Sequence, residues 1–157
     1  MPADPSPGRV AAVDYGTVRI GIALSDPDRR LASPYETYTR KDKQRDAARF
    51  RRLVEEERVA LFVVGLPVHL DGRESQKSIE ARAFGKWIEE ITGIHVVFFD
   101  ERFTSVEAEG LLLAAGLTNK RRKERRDRLA AQILLAAYLE SPTKAESSAP
   151  LDDRPRP

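Results

Sequence analysis

Acidic residues stand at three places where chemistry could gather. Asp14 closes the apolar run Val10 to Val13, Asp100-Glu101 closes Val96 to Phe99, and Asp127 follows a strongly basic segment. Ligand sites in open α/β sheets collect outside the carboxyl ends of the strands, so acids that end buried runs are candidates. If the two strands are neighbours, Asp14 and Glu101 converge on one edge. Carboxylates brought that close repel unless they share a proton or a cation, and hard oxygen donors suit Mg²⁺ or Mn²⁺. A metal site is the economical reading. A third acid helps to hold a metal pair, and Asp127 is the candidate. Lys120 to Arg128 carries seven basic and two acidic residues, a local charge of +5. Metal-binding acids beside phosphate-binding cations are what phosphodiester hydrolysis requires.

Each residue also has a purely structural reading. Asp14-Tyr15-Gly16 is good tight-turn chemistry. Glu101 fits a solvated acid after a strand, and Asp127 fits an N-cap or first-turn acid facing a helix dipole. Basic runs often cover solvated surface, and Trp87 with its neighbours reads as core. Other chemistries find less support. The chain has no cysteine, which excludes a disulfide framework, a zinc-thiolate site and a cysteine nucleophile, and fits a reducing cytosol. With only His69 and His95, a histidine-rich metal site is excluded too. There is no G-x-x-x-x-G-K-[ST] phosphate loop, Gly16 with Gly21 makes no dinucleotide fingerprint, and Ser25, Ser75 and Ser105 lack a G-x-S-x-G context. The Asp14 hairpin is similar to the phosphate hairpin of actin-like ATPases and sugar kinases, which need a second lobe that this chain has no room for.

The elements that must position these acids follow from hydrophobic periodicity. The 157 residues suit one domain, 41% hydrophobic residues can fill its core, and 33% charged residues exceed the ~25% usual for soluble domains. The formal charge of +2 is too balanced to name a polyanionic partner, so the placement of charge matters more. No apolar stretch of signal-peptide length precedes Val10, and no apolar run in the chain exceeds the seven residues of Ile133 to Leu139, which reads as a cytoplasmic protein with no membrane partner. The proline-rich ends, residues 1–8 and 141–157, read as disordered, leaving a domain over residues 9–140. Val10 to Asp14 and Arg19 to Ser25 predict a β-hairpin, with a third extended piece around Tyr35 to Thr39. Asp42 to Glu57 has helical spacing. Leu61 to Val64 predicts a strand covered on both faces, then a helix carries Ile79, Ala83, Phe84, Trp87, Ile88 and Ile91. Val96 to Phe99 is another buried strand. A helix from Thr104 through Ala115, stopped by Gly116, and a deeply packed helix over Leu129 to Leu139 complete the set. An antiparallel meander followed by strands alternating with helices predicts a five-stranded mixed sheet with helices on both faces.

Four motifs then carry a specific resemblance. Asp14-Tyr15-Gly16 with Arg19 to Ala23, Gly65-Leu66-Pro67 with Asp71-Gly72, Asp100 to Ser105, and Asp127 before Ala130-Ala131 occur in the order and spacing of the YqgF-type family, also called RuvX. That family is named for Holliday junction resolution and assigned to ribosomal RNA maturation. The resemblance runs from about Val10 to Glu140. It implies an RNase H-like fold and a nuclease site of three carboxylates, placed at Asp14, Glu101 and Asp127, with two divalent ions, Mg²⁺ or Mn²⁺. Asp100 competes with Glu101, because successive strand residues point to opposite faces. The implied activity is endonucleolytic cleavage at the 5′ end of precursor 16S ribosomal RNA, in association with the ribosome; branched DNA and a non-catalytic nucleic-acid-binding role are the alternatives. Lys120, Arg121, Arg122, Lys123, Arg125 and Arg126 are the expected nucleic-acid contacts, solvated and mobile until phosphate binds. Thr17 is expected to orient the site or a phosphate. The chain departs from the family pattern at Arg126, where an apolar residue is usual, and at His69, where asparagine is common.

Overall fold

The computed structural model describes residues 8–67, 73–104 and 119–147. In chain order the elements are β1 (Arg9–Asp14), β2 (Arg19–Ser25), β3 (Ala32–Thr39), α1 (Lys43–Glu57), β4 (Val59–Leu66), α2 (Gln76–Thr92), β5 (Val96–Asp100), a 3₁₀ turn (Glu101–Phe103), α3 (Asn119–Glu140), a second 3₁₀ turn (Pro142–Lys144) and β6 (Glu146–Ser147). The strands form one sheet in the order β3-β2-β1-β4-β5-β6. β1 runs antiparallel to β2 and β2 to β3, whereas β1, β4 and β5 are mutually parallel.

Strand alternation divides the apolar residues between two cores. Ala11, Val13, Ile20, Ile22, Phe62, Val64 and Phe98 face α1 and α2, packing with Phe50, Leu53, Phe84 and Ile88. Val10, Ala12, Ala23, Val63 and Phe99 face α3 and meet Ala131, Leu134 and Leu135. Both faces of the central strands are thus covered, which is why β1 and β4 read as continuous apolar runs. Local signals delimit the helices. The Asp42 carboxylate caps α1 by accepting from the Arg45 N–H at 2.8 Å. Ser75 and Ser78 form a reciprocal capping box on α2, and Gly93 ends that helix in the left-handed region at φ 73°.

Several expectations need correction. The sheet has six strands, because Glu146 and Ser147 pair antiparallel with Phe98 and Val97 at the edge of β5. A disordered tail beginning at Ser141 therefore does not hold for residues 141–147; residues 148–157 lie outside the described ones, as do 1–7. Arg82 ties this edge down by pairing with Glu146 at 3.2 Å and with Glu74 at 2.6 Å. The buried face of α2 is Ser78, Ala81, Phe84, Gly85 and Ile88, so Ile79 and Ala83 are exposed instead. α3 buries Ala131, Leu134 and Leu135 but leaves Leu129 and Ile133 only half-buried. The helix expected over Thr104 to Ala115 falls almost wholly outside the described residues.

Candidate active site

The geometry of the acids begins with the register of the sheet. Val13 pairs with Val64 and Leu66 with Asp100, so the carboxyl ends of β1, β4 and β5 finish together. Asp14 ends β1, Gly65 lies near the end of β4, and Glu101 opens the 3₁₀ turn that follows β5. The Glu101 side chain folds over Gly65, where a Cβ would come within 2.7 Å of its Oε1 and 3.3 Å of its Cγ. Glycine here leaves the space that this carboxylate occupies.

Neighbouring Asp100 is engaged elsewhere. Its Oδ1 accepts from the Arg102 backbone N–H at 2.8 Å, and its Oδ2 accepts from Arg102 Nη2 at 2.6 Å and Nε at 2.8 Å. Asp100 thus caps the turn that presents Glu101, and the Glu101 carbonyl accepts from Thr104 N at 3.0 Å and Thr104 Oγ1 at 2.6 Å.

Asp127 reaches the same edge from the opposite face. Gly21 is the register partner of Asp14, and α3 crosses it so closely that a Cβ on Gly21 would lie 1.9 Å from the Asp127 carbonyl oxygen. Only a residue without a side chain lets the helix approach there. Asp127 is the ninth residue of α3, so the N-cap and first-turn readings both fail. Its Oδ2 accepts from Arg19 Nε at 2.9 Å. Thr37 anchors this half of the helix by donating to the Glu124 carbonyl.

Together, Asp14, Thr17, Arg19, Lys77, Glu80 and Asp127 line a cleft of about 550 Å³. A larger groove of about 650 Å³ between Arg29–Ala32 and α3 has Glu140 as its one acid among the described residues and offers no comparable chemistry. Burial pushes the Asp14 carboxyl up to about 7; the Glu101 charge adds to this, the Lys77 ammonium opposes it, and Asp127 adds further. A carboxyl raised by burial and like charge is one that a cation would relieve. Hard oxygen donors from Asp14 and Glu101 therefore fit a divalent ion. Among the described residues, no three acids stand around one point, and Asp127 is paired with Arg19.

Arg19 and Lys77 escaped the sequence reading. The Ser75 cap was the available signal for Lys77, since it places Gln76-Lys77 in the first turn of a helix that begins at this edge. Nothing in the sequence pairs Arg19 with Asp127. The basic run forms the first turns of α3, with Arg121, Lys123, Arg125 and Arg126 exposed and Arg122 half-buried. The expected contact segment is helical, and of its described side chains only Asp127 lines the cleft. The side chain of Lys120 and all of His69 lie outside the described residues.

Comparison with known proteins finds relatives over most of the chain. A protein of Rhodopirellula baltica named "Putative pre-16S rRNA nuclease" is 50% identical over 137 residues, covering 87% of this chain and 79% of that relative. One of Koribacter versatilis with the same name is 43% identical over 133 residues, covering 85% and 87%. Thermus thermophilus RuvC, solved in complex with a Holliday junction substrate, superposes with a TM-score of 0.57 at 18% identity, covering 89% of this chain and 99% of that one. That likeness shows the RNase H-like fold. The family model for RuvX, described as Holliday junction resolvase, matches residues 8–141. With nearly the whole described chain matched, this protein belongs to the RuvX family.

Proposed function

We propose that this chain is a divalent-metal-dependent endonuclease acting on precursor 16S ribosomal RNA. The observation that carries the reading is the meeting of Asp14 and Glu101 at one sheet edge, with Asp127 lining the same cleft. The substrate comes from the relatives' name. Asp14, Glu101 and Asp127 are the residues that would hold the divalent ions, as magnesium or manganese. Bound there, the cation supplies Lewis-acid charge at the scissile phosphate and acidifies a water.

The protein's own groups do the rest. Asp14 and Glu101 present their oxygens from backbone that the sheet and the Asp100-capped turn keep still, and such preorganisation is where electrostatic catalysis gains most. Lys77 is exposed in the cleft, placed to take a non-bridging phosphate oxygen. Arg19 holds Asp127 in the ion-free protein, so this carboxylate is paired with a cation while its charge still adds to the upward push on Asp14. The exposed cations of α3 track the flanking phosphates, setting position without reading sequence. The assembling ribosome in the cytoplasm is where such a substrate is met.

Branched DNA is the second reading, favoured by the description of the family model. Parallel cleavage assays on precursor 16S ribosomal RNA and on a four-way DNA junction, each with Mg²⁺ and with Mn²⁺, separate the two. Specific cleavage of the RNA precursor is the expected result; cleavage of the junction alone reverses the substrate, and cleavage of neither removes the nuclease reading.

A further inference from the structure

Next to the acidic cleft lies a second pocket of about 250 Å³, lined by Tyr15, Arg40, Lys43, Glu80, Phe84 and Trp87. Tyr15 and Glu80 line both depressions, so the two are immediate neighbours. We propose that this pocket is a nucleobase subsite, which takes one unpaired base of the substrate strand while a neighbouring phosphate lies at Asp14. The inference rests on the nuclease reading and names the form of substrate that the site accepts.

The walls are built for a flat ring. Phe84 is buried at the centre, with the Tyr15 ring 5.1 Å away at a 48° tilt and the Trp87 ring 5.6 Å away at 40°. The Arg40 guanidinium lies 5.5 Å from the Tyr15 ring centre and 5.4 Å from that of Phe84. It is held in place, since its Nε is 3.5 Å from Asp46 and its Nη1 donates to the Gly16 carbonyl at 3.3 Å. Asp46 is itself buried and fixed, accepting from the Tyr38 hydroxyl at 2.7 Å and from Lys41 N at 2.9 Å. Unpaired bases stack on aromatic faces and on guanidinium planes of this kind.

The charges distinguish a base from other occupants. Glu80 at the junction of the two depressions repels a second phosphate and accepts from amino or imino N–H groups on a base edge. Lys43 is exposed at the rim, where it meets the backbone that carries the base. The volume is below the roughly 300–1,000 Å³ of sites for drug-sized ligands, and a single planar ring suits it better. A base inside a duplex is stacked and paired, so the pocket favours single-stranded substrate. Phosphate contacts alone provide no such selection.

Trp87 is the only tryptophan of the chain, which makes it a built-in reporter. The test uses the full chain carrying Asp14→Asn, which the nuclease reading makes inactive, with Mg²⁺ and an end-labelled single-stranded oligoribonucleotide. Anisotropy of the label reports binding and Trp87 emission reports stacking. We expect saturable quenching of Trp87 in step with binding. Adding Ala83→Gln fills the pocket from an exposed helical position where glutamine is well tolerated. This change should weaken single-strand binding about tenfold or more and leave duplex binding unchanged. Making one nucleotide abasic should cost a similar factor in the Asp14→Asn protein, at one position of the strand, and nothing more once Ala83→Gln is present. Single-stranded DNA that quenches equally supports the subsite, because the base is the shared chemistry. Binding with unchanged Trp87 emission and no effect of Ala83→Gln overturns the subsite and leaves the nuclease reading standing. Absence of any binding overturns both.

Discussion

Asp14→Asn should make the ion-free protein more stable while destroying the site. The Asp14 carboxyl is raised from its ordinary 3.8 to about 7, first by burial and then by the Glu101 charge. The sign follows from proton uptake. Between those two values the folded protein binds the proton and the unfolded chain does not, so stability falls as pH rises through the window and levels off above it. At 1.36 kcal/mol per pH unit, the full penalty above pH 8 is about 4 kcal/mol, and at pH 5 it is less than half of that. Asp14 is only partly buried, and solvent screening brings the expected gain from Asp14→Asn at pH 8 to about 2 kcal/mol. With a urea slope of about 2 kcal/mol per molar, the unfolding midpoint moves up by about 1 M. The assay is urea unfolding in chelator at pH 8 and pH 5, followed by circular dichroism, then repeated with Mg²⁺. The gain should shrink at pH 5, and Mg²⁺ should stabilise the parent protein far more than the variant. Equal midpoints at pH 8, or equal stabilisation of both proteins by Mg²⁺, would refute the reasoning.

The neighbouring acids separate cleanly: Glu101→Gln should lower cleavage by about 100-fold or more, whereas Asp100→Asn keeps a capping oxygen for the turn and should lose about tenfold at most. Steady-state rates on one substrate decide it, and the reverse order would exchange the two roles. Gly21→Ala should destabilise by about 1–3 kcal/mol and abolish activity, because its Cβ meets α3 backbone. Gly65→Ala meets mainly the flexible end of Glu101, so thermal melts should move less than activity does. Replacing exposed Arg121, Lys123 and Arg125 with alanine should weaken binding to every sequence and flatten the log–log salt dependence by about 0.7 for each single-strand phosphate that is no longer neutralised. An unchanged slope in salt titrations would make this run ordinary surface and turn attention to Arg40 to Arg52.

Much of this molecule is legible in its sequence, for physical reasons. Short continuous apolar runs at Val10–Val13, Leu61–Val64 and Val96–Phe99, each closed by Asp14, Gly65 or Asp100, suit strands covered on both faces. Residues that cap, such as Asp42, Ser75 and Gly93, act through bonds to backbone a few positions away, so they mark helix ends locally. Acids placed just after those strands are therefore candidates for one edge, and the motif order around Asp14, Gly65, Asp100-Glu101 and Asp127 points to one family.

Other features depend on contacts between distant residues and leave no local trace. Glu146–Ser147 joins the sheet through backbone hydrogen bonds, which a polar, proline-flanked sequence does not advertise. Periodicity puts Ile79 and Ala83 on the buried face of α2, but the packing of Phe84, Gly85 and Ile88 against β4 and β5 turns the helix and exposes them. The choice between Asp100 and Glu101 is set by Arg102, which engages the first, and by the space above Gly65, which receives the second. Asp127 lies beside Asp14 because a strand glycine far back in the chain lets α3 touch β2, and Arg19 then meets it. Sequence patterns specify which face of an element is apolar; which neighbour that face meets, and how closely, is decided only when the sheet order and the helix approach are set together.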